Sequence, residues 1–206
     1  MPITSKATKY IIAMTVVIVV SNILVQYQLG QWLTWGALTF PFAFLVTDLV
    51  TRFYGVKTAK KVIGAGLVAG IVFSFIASFF SITTLRIAIA SATAFLVAQL
   101  TDMKIFDSLR NLAWWKTPVI SSTVGSILDT FLFFGIAFSA LTFTVFPDDH
   151  TWAMESVPFL GFGPEVALWV SLAAADLGIK LLILIILLVP YRYVISRRHQ
   201  ADKSTS

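Results

Sequence analysis

Few residues of this chain can do chemistry, and those few recur at helical spacing. Ser122, Ser126 and Asp129 fall at i, i+4 and i+7, on one face of a helix. Asp129 has no basic residue close along the chain. Within a membrane span it must be neutral, or find a cation or donors on another helix. An ionisable group placed there costs about 2.5–3.5 kcal/mol on insertion scales, which makes it a site candidate by default. The alternative is a structural hydrogen bond between helices. Asp176 and Lys180 sit at i and i+4, with Trp169 and Ala173 continuing their face. They read either as part of a transport site or as a pair neutralised for insertion. Asp48 and Arg52 repeat that spacing nearer a span end. They read as a gate or substrate contact, or as a self-satisfied anchor whose arginine snorkels to the interface. Ser91, Phe95, Gln99 and Asp102 make a polar and aromatic stripe beneath Arg86, which either joins the site or marks the outer interface. Asn22 and Gln26 add neutral hydrogen-bonding groups at the same spacing.

Several chemistries fall away. The chain has no cysteine, and its only histidines, His150 and His199, fall in a loop and a tail. Neither a cysteine–zinc site nor a histidine-rich metal or haem site is expected. No HExxH, GxSxG or P-loop pattern occurs. The expectation is a non-enzyme with no metal and no cofactor.

The elements that must position these residues follow from composition. Of 206 residues, 58% are hydrophobic and only 12% charged, and mean hydropathy is +0.88. A soluble domain carries about 25% charged residues, so this is an integral membrane protein. The apolar runs are uniform instead of alternating, which selects helices over a β-barrel. Charges and the Gly30–Gly36 break divide the chain into spans of about 10–29, 36–54, 62–84, 86–104, 118–146 and 165–190. Pro41 falls inside the second of these. Trp32 and Trp35, like Trp114 and Trp115, suit an interfacial belt. Gly66 and Gly70 form a small-xxx-small pattern for close helix packing.

All Lys and Arg residues except Arg86 and Lys180 fall in the N-terminal tail, the second-to-third and fourth-to-fifth connections, or the C-terminus. The long opposite loop, 147–165, is acidic. The positive-inside rule then places both termini in the cytoplasm. The fold class is all-α: a polytopic protein of six transmembrane helices forming one domain over 1–195. A polar tail follows over 196–206, fraying after Tyr193. The basic pI of about 9.6 is thereby a matter of topology, and no nucleic-acid partner is expected. Asp48 and Asp129 fall on the middle helices of two three-helix halves that run in opposite directions, an arrangement used by inverted-repeat transporters. The first span is too long for a signal-peptide core and has no cleavage site after it.

Three stretches carry a family resemblance. They are Thr34-Trp-Gly-Ala followed by Phe40 to Gly55 (FPFAFLVTDLVTRFYG), Arg86-Ile-Ala-Ile-Ala-Ser91 with Gln99-Leu-Thr-Asp102, and Ser122 to Thr130 (STVGSILDT). Together with Ser21-Asn22 and Asp176, Lys180 and Pro190, they make residues 10–195 resemble the bacterial queuosine precursor transporters, inner-membrane proteins of a vitamin-uptake-like group. Ala98 stands where that pattern has glycine, and the 147–165 loop matches none of it. The resemblance implies a multi-pass protein of the bacterial cytoplasmic membrane. It would import 7-cyano- and 7-aminomethyl-7-deazaguanine for the queuosine modification of tRNA.

The residue chemistry is compatible with such a substrate. A guanine-like base presents an N–H and an amino group side by side, which one carboxylate accepts in a two-pronged hydrogen bond. Asp129 is the leading acceptor, with Asn22, Gln99, Arg86, Asp176 and Lys180 as further substrate contacts. Asp48, Arg52 and Asp102 are assigned to gating or ion pairing. The expected partners are a small deazapurine and lipid, and a homo-oligomer is compatible. The rival function is a substrate-capture subunit that works with an energy-coupling ATPase module. An intramembrane enzyme ranks last, for want of a nucleophile or metal set.

Overall fold

A computed structural model of the chain describes residues 5–25, 27–80, 82–139 and 151–204. Gln26, His150 and residues 147–150 of the acidic loop lie outside the described residues.

The chain is mainly helical because a backbone in lipid must satisfy its hydrogen bonds within each segment. Helix α1 spans Ser5–Leu24. A short hairpin follows, β1 (Gln28–Leu29) against β2 (Leu33–Thr34), with Leu29 opposite Leu33. Helix α2 spans Trp35–Thr39, and α3 spans Pro41–Phe79. Then come α4 (Leu85–Ser108) and α5 (Lys116–Phe138). Strands β3 (Ser156–Pro158) and β4 (Glu165–Ala167) pair antiparallel ahead of α6 (Leu168–Ser204). Five helical stretches are long and apolar enough to cross a membrane. Phe75, Phe79, Phe131 and Val189 are exposed, as lipid-facing side chains should be. The chain is a polytopic helical membrane protein.

The stretch through α3 is not one rod. Gly55 sits inside it at φ 75° and ψ 173°, a conformation that only glycine adopts at low cost. Phe40 and Ser74 line one cavity, although a continuous helix would hold them about 50 Å apart. The chain therefore doubles back at Gly55. Ala43, Val46 and Val50 from before the break join Ala59, Val62 and Ile63 from after it in one buried cluster with Met14 and Ile18 of α1. A β-carbon on Gly66 would stand 2.7 Å from Met14, so this glycine sets the close contact between α1 and α3.

Several expected boundaries move. The first helix stops at Leu24, and the chain toward position 29 enters the hairpin. Pro41 does not interrupt a helix. It opens α3 at the first helical turn, where its missing N–H costs nothing. The third span ends at Phe79 instead of position 84, and α5 ends at Phe138, well before 146. Helix α6 begins at Leu168, because residues 165–167 pair as a strand, and it runs through Pro190 to Ser204. Arg198 lies over the rings of Phe53 and Tyr54 and donates to the Tyr54 hydroxyl at 3.2 Å. These contacts anchor Arg198, within the stretch after Tyr193 that composition alone marks as frayed.

Candidate functional site

A cavity of about 510 Å³ opens between the helices. Its floor and walls come from α1, α2, the second half of α3, α4, α5 and α6. Gln28, Gln31 and Trp32 of the first hairpin, Thr83, and Trp152 of the segment before β3 line it as well. All of these connecting residues belong to one end of the helices, opposite Gly55. The wall is largely aromatic and aliphatic, with Phe40, Phe133, Phe134 and Phe138 among its lining. That is the usual character of a small-molecule site: apolar walls and a few converging polar groups.

The polar groups converge on Lys180. Its Nζ lies 2.7 Å from Asp129 Oδ2 on α5 and 2.5 Å from Asp176 Oδ2, one turn earlier on its own helix. Thr130 Oγ1 accepts from Lys180 at 3.3 Å and donates to Asp176 Oδ2 at 2.8 Å. The ammonium also lies 5.6 Å from the centre of the Phe40 ring, a cation–π distance. Lys180 and Asp129 are each 4% exposed, yet both reach the cavity wall, as does Asp176. Two carboxylates facing one ammonium leave a formal charge of −1 at this end of the cavity.

Where α5 faces α6, Asp129, at the end of the polar line begun by Ser122 and Ser126, finds the cation that it lacks along its own sequence. The i, i+4 spacing of Asp176 and Lys180 delivers that cation already braced on one side. Asn22 also lines the cavity, with its amide nitrogen bonded back to the Ile18 carbonyl at 2.8 Å.

The other expected substrate contacts lie elsewhere. Arg86 is fully buried and does not line the cavity. Its Nε and Nη2 donate to the carbonyls of Ile136 and Ser139 at 2.9 and 2.7 Å. Ile136 lies in the last turn of α5 and Ser139 caps it, where intrahelical partners run out and a cation is favoured by the helix dipole. Gln99 is buried away from the cavity, and its Oε1 takes the Thr47 hydroxyl at 2.5 Å.

The expected Asp48–Arg52 pair is not formed. Asp48 takes the hydroxyls of Ser121 and Ser122 at 3.5 and 3.2 Å, while Arg52 donates to the Tyr191 hydroxyl at 3.4 Å. Helical spacing brings the two residues to one face, but packing against α5 and α6 gives each a different partner. Asp102 joins Asp48 through Ser122, whose Oγ lies 3.0 Å from Asp102 Oδ1.

Sequence reasoning did not single out Thr130, Phe40 or the cavity role of Trp32. Thr130 is adjacent to Asp129 and so belongs to a different face of the helical wheel. Trp32 has the look of an interfacial residue, and only the fold of the hairpin turns it to the cavity. No group of three or more potential metal ligands occurs among the described residues.

A cavity with a buried charge cluster between membrane helices is an arrangement that a carrier of a small polar solute can use. Comparison with known proteins agrees. Residues 34–195 match the family model described as "Putative vitamin uptake transporter". The chain is 37% identical over 173 residues to the "Probable queuosine precursor transporter" of Haemophilus influenzae, covering 76% of this chain and 66% of that one. It is 32% identical over 210 residues to the "Queuosine precursor transporter" of Escherichia coli, covering 91% of this chain and 86% of that one. The chain belongs to the queuosine precursor transporter family. The resemblance read from the three motif stretches is thus confirmed. The family is one of transporters and not of enzymes, and with its apolar helices the chain is a multi-pass protein of the bacterial inner membrane. No solved structure matches the chain.

Proposed function

We propose that the chain imports queuosine precursors, 7-cyano-7-deazaguanine and 7-aminomethyl-7-deazaguanine, and binds them in the 510 Å³ cavity. The observation that carries this reading is the Asp129–Lys180–Asp176 cluster set in an aromatic cavity wall. A deazaguanine ring presents two adjacent N–H donors to one carboxylate and a carbonyl to an ammonium, and its flat faces stack on aromatic rings. Asp129 takes the donor edge, Lys180 reaches the carbonyl, and Asp176 with Thr130 holds Lys180 in place. Asn22 contributes a further polar contact. The local charge of −1 suits the aminomethyl compound, a cation at neutral pH, and tolerates the neutral cyano compound.

The chain forms one transmembrane domain over 1–195 with six crossings. The break at Gly55 divides the longest helical stretch into two of them. Both termini lie in the cytoplasm, because the basic residues cluster at those ends and in the Gly55 and 109–116 connections. The cavity then opens outward, lined at its mouth by the connections of the opposite end. The names of the two relatives describe transporters, which disfavours the rival reading of a capture subunit for an ATPase module.

The test is uptake of labelled 7-cyano-7-deazaguanine by cells unable to make either precursor, scored as queuosine in tRNA. The wild-type chain restores the modification. Asp129→Asn leaves folded protein in the membrane and reduces uptake at least tenfold, about the 1.4 kcal/mol of one charge-assisted hydrogen bond. Unchanged uptake removes Asp129 from the site. Failure of the wild-type chain with every deazapurine removes the substrate assignment.

A further inference from the structure

A second pair of buried acids has no part in holding the base. Asp48 of α3 and Asp102 of α4 are 2% and 0% exposed, and neither lines the large cavity. Both carboxylates lie within 3.2 Å of one hydroxyl oxygen, Ser122 Oγ. A hydroxyl has a single proton, so it donates to only one of them at a time. Ser121 adds a weak 3.5 Å contact to Asp48. Asp102 Oδ2 is buried with no hydrogen-bond partner.

No ion pair to either acid occurs among the described residues. The charged or titratable groups that face the pair are Arg52, one turn after Asp48, and Tyr191 of α6, which takes the hydrogen bond of Arg52. Helix α5 offers only hydroxyls. Two ionised carboxylates that meet the same hydroxyl in a buried interior would repel each other with little hydration to offset it, and a single proton on the pair relieves that repulsion.

An independent feature adjoins the pair. A small cavity of about 20 Å³, walled mostly by Pro41, Phe44, Pro118 and leucines, has Asp48, Ser122, Ser126 and Tyr191 as the polar part of its lining. It has room for about one water molecule. Ser126 Oγ, 1% exposed and without a hydrogen-bond partner, faces it. Along α5, Ser122, Ser126 and Asp129 form one polar line, which spans about 10 Å from the acid pair to the base cavity. The acids lie on the Gly55 side of that line, beyond the closed end of the cavity.

We propose that Asp48 and Asp102, bridged by Ser122, take up one proton and release it in each transport cycle. The inference rests on the chain being a carrier for the base, and it adds the driving ion. The chemistry is protonation alone: a carboxylate gains a proton to become a carboxylic acid, and later returns it to water. The proton arrives by way of Ser126 and one water while the cavity faces outward. It leaves from the Asp102 side when that face opens. Protonation removes the repulsion between α3 and α4, and ionisation restores it, which gives the proton a handle on how closely these helices pack.

The test uses the purified full chain in proteoliposomes with labelled 7-cyano-7-deazaguanine, which is neutral. One arm measures counterflow exchange without a gradient, and the other measures accumulation with the outside one pH unit more acid. With one proton per neutral base, and the membrane potential held at zero by potassium and valinomycin so that the imported charge is compensated, wild type accumulates toward about tenfold. Asp102→Asn and Asp48→Asn retain counterflow, and their accumulation ratio falls to one. Accumulation by either variant equal to wild type overturns the proposal. So does wild-type counterflow that only a sodium gradient converts into accumulation, or that no gradient does. Loss of wild-type counterflow refutes the carrier reading itself, and the proposal with it. If the variants do not fold, wild type alone decides: base influx must acidify a weakly buffered lumen by one proton per base, and influx without acidification overturns the proposal.

Discussion

Replacing Lys180 with methionine tests whether the cluster is the electrostatic centre of the protein. The ammonium makes two ionic contacts, at 2.7 and 2.5 Å; the Lys180 side chain is only 5% exposed, and those of Asp129 and Asp176 are 6% and 14% exposed. At an effective dielectric of about 20, each contact contributes about 6 to 7 kcal/mol of Coulomb energy. Desolvation of the three ions offsets most of it. The net cost of deleting one partner of a buried pair is about 3–5 kcal/mol, because the remaining charge is stranded. Here two carboxylates are stranded together. Lys180→Met should therefore lower the folded-to-unfolded ratio at least about a hundredfold, read as a large fall in thermal midpoint in detergent.

The diagnostic variant is the triple change Lys180→Met, Asp129→Asn, Asp176→Asn. It has similar volume and no charge left in the cluster, and it should recover most of the lost stability while transport stays absent. A Lys180→Met protein as stable as wild type would refute the reasoning. So would a triple variant no more stable than the single one, because stranded charge would then not be the cause.

Three further outcomes follow from individual contacts. Arg86→Gln removes charge-assisted bonds to the Ile136 and Ser139 carbonyls and should cost about 2–3 kcal/mol of stability. It should leave the KM of the folded fraction unchanged in vesicle uptake, and a raised KM would return Arg86 to the base site. Gly125→Leu brings a β-carbon to 2.7 Å from the Phe44 ring and 3.2 Å from Asp102 Cβ. The expected loss is about 1–3 kcal/mol, with ΔpH-driven accumulation impaired because Ser122 is forced away from the two acids. Thr130→Val keeps the volume but deletes the bonds to Asp176 and from Lys180. It should raise KM for the cyano base several-fold, by about 1 kcal/mol, and unchanged kinetics would limit Thr130 to packing.

The membrane class and the charged residues that matter were legible because hydropathy and charge act locally. A run of apolar residues is recognisable without knowing its neighbours, and an aspartate inside one is conspicuous for its cost. Asp129 illustrates both the reach and the limit of that reasoning. Its position shows that it must be neutral or find a partner on another helix, but not which, nor that the partner is Lys180. The Asp176–Lys180 contact was readable because one helical turn fixes it. The same turn suggested an Asp48–Arg52 pair, and there the inference failed, since helical spacing permits a contact but packing chooses among competitors. Asp48 went to the serines of α5 and Arg52 to Tyr191.

What the sequence by itself determined is a multi-pass helical membrane protein, its basic ends, and a short set of intramembrane polar residues with a recognisable family pattern. Only the tertiary structure decided how that set divides. Asn22, Asp129, Asp176 and Lys180 share a cavity, Arg86 clamps the end of α5, and Asp48 meets Asp102 across Ser122. The reason is physical. The cost of a buried charge is a property of one residue and its span, whereas its relief depends on which helix passes within 3 Å. The reversal at Gly55 and the close approaches at Gly66 and Gly125 settle that in three dimensions.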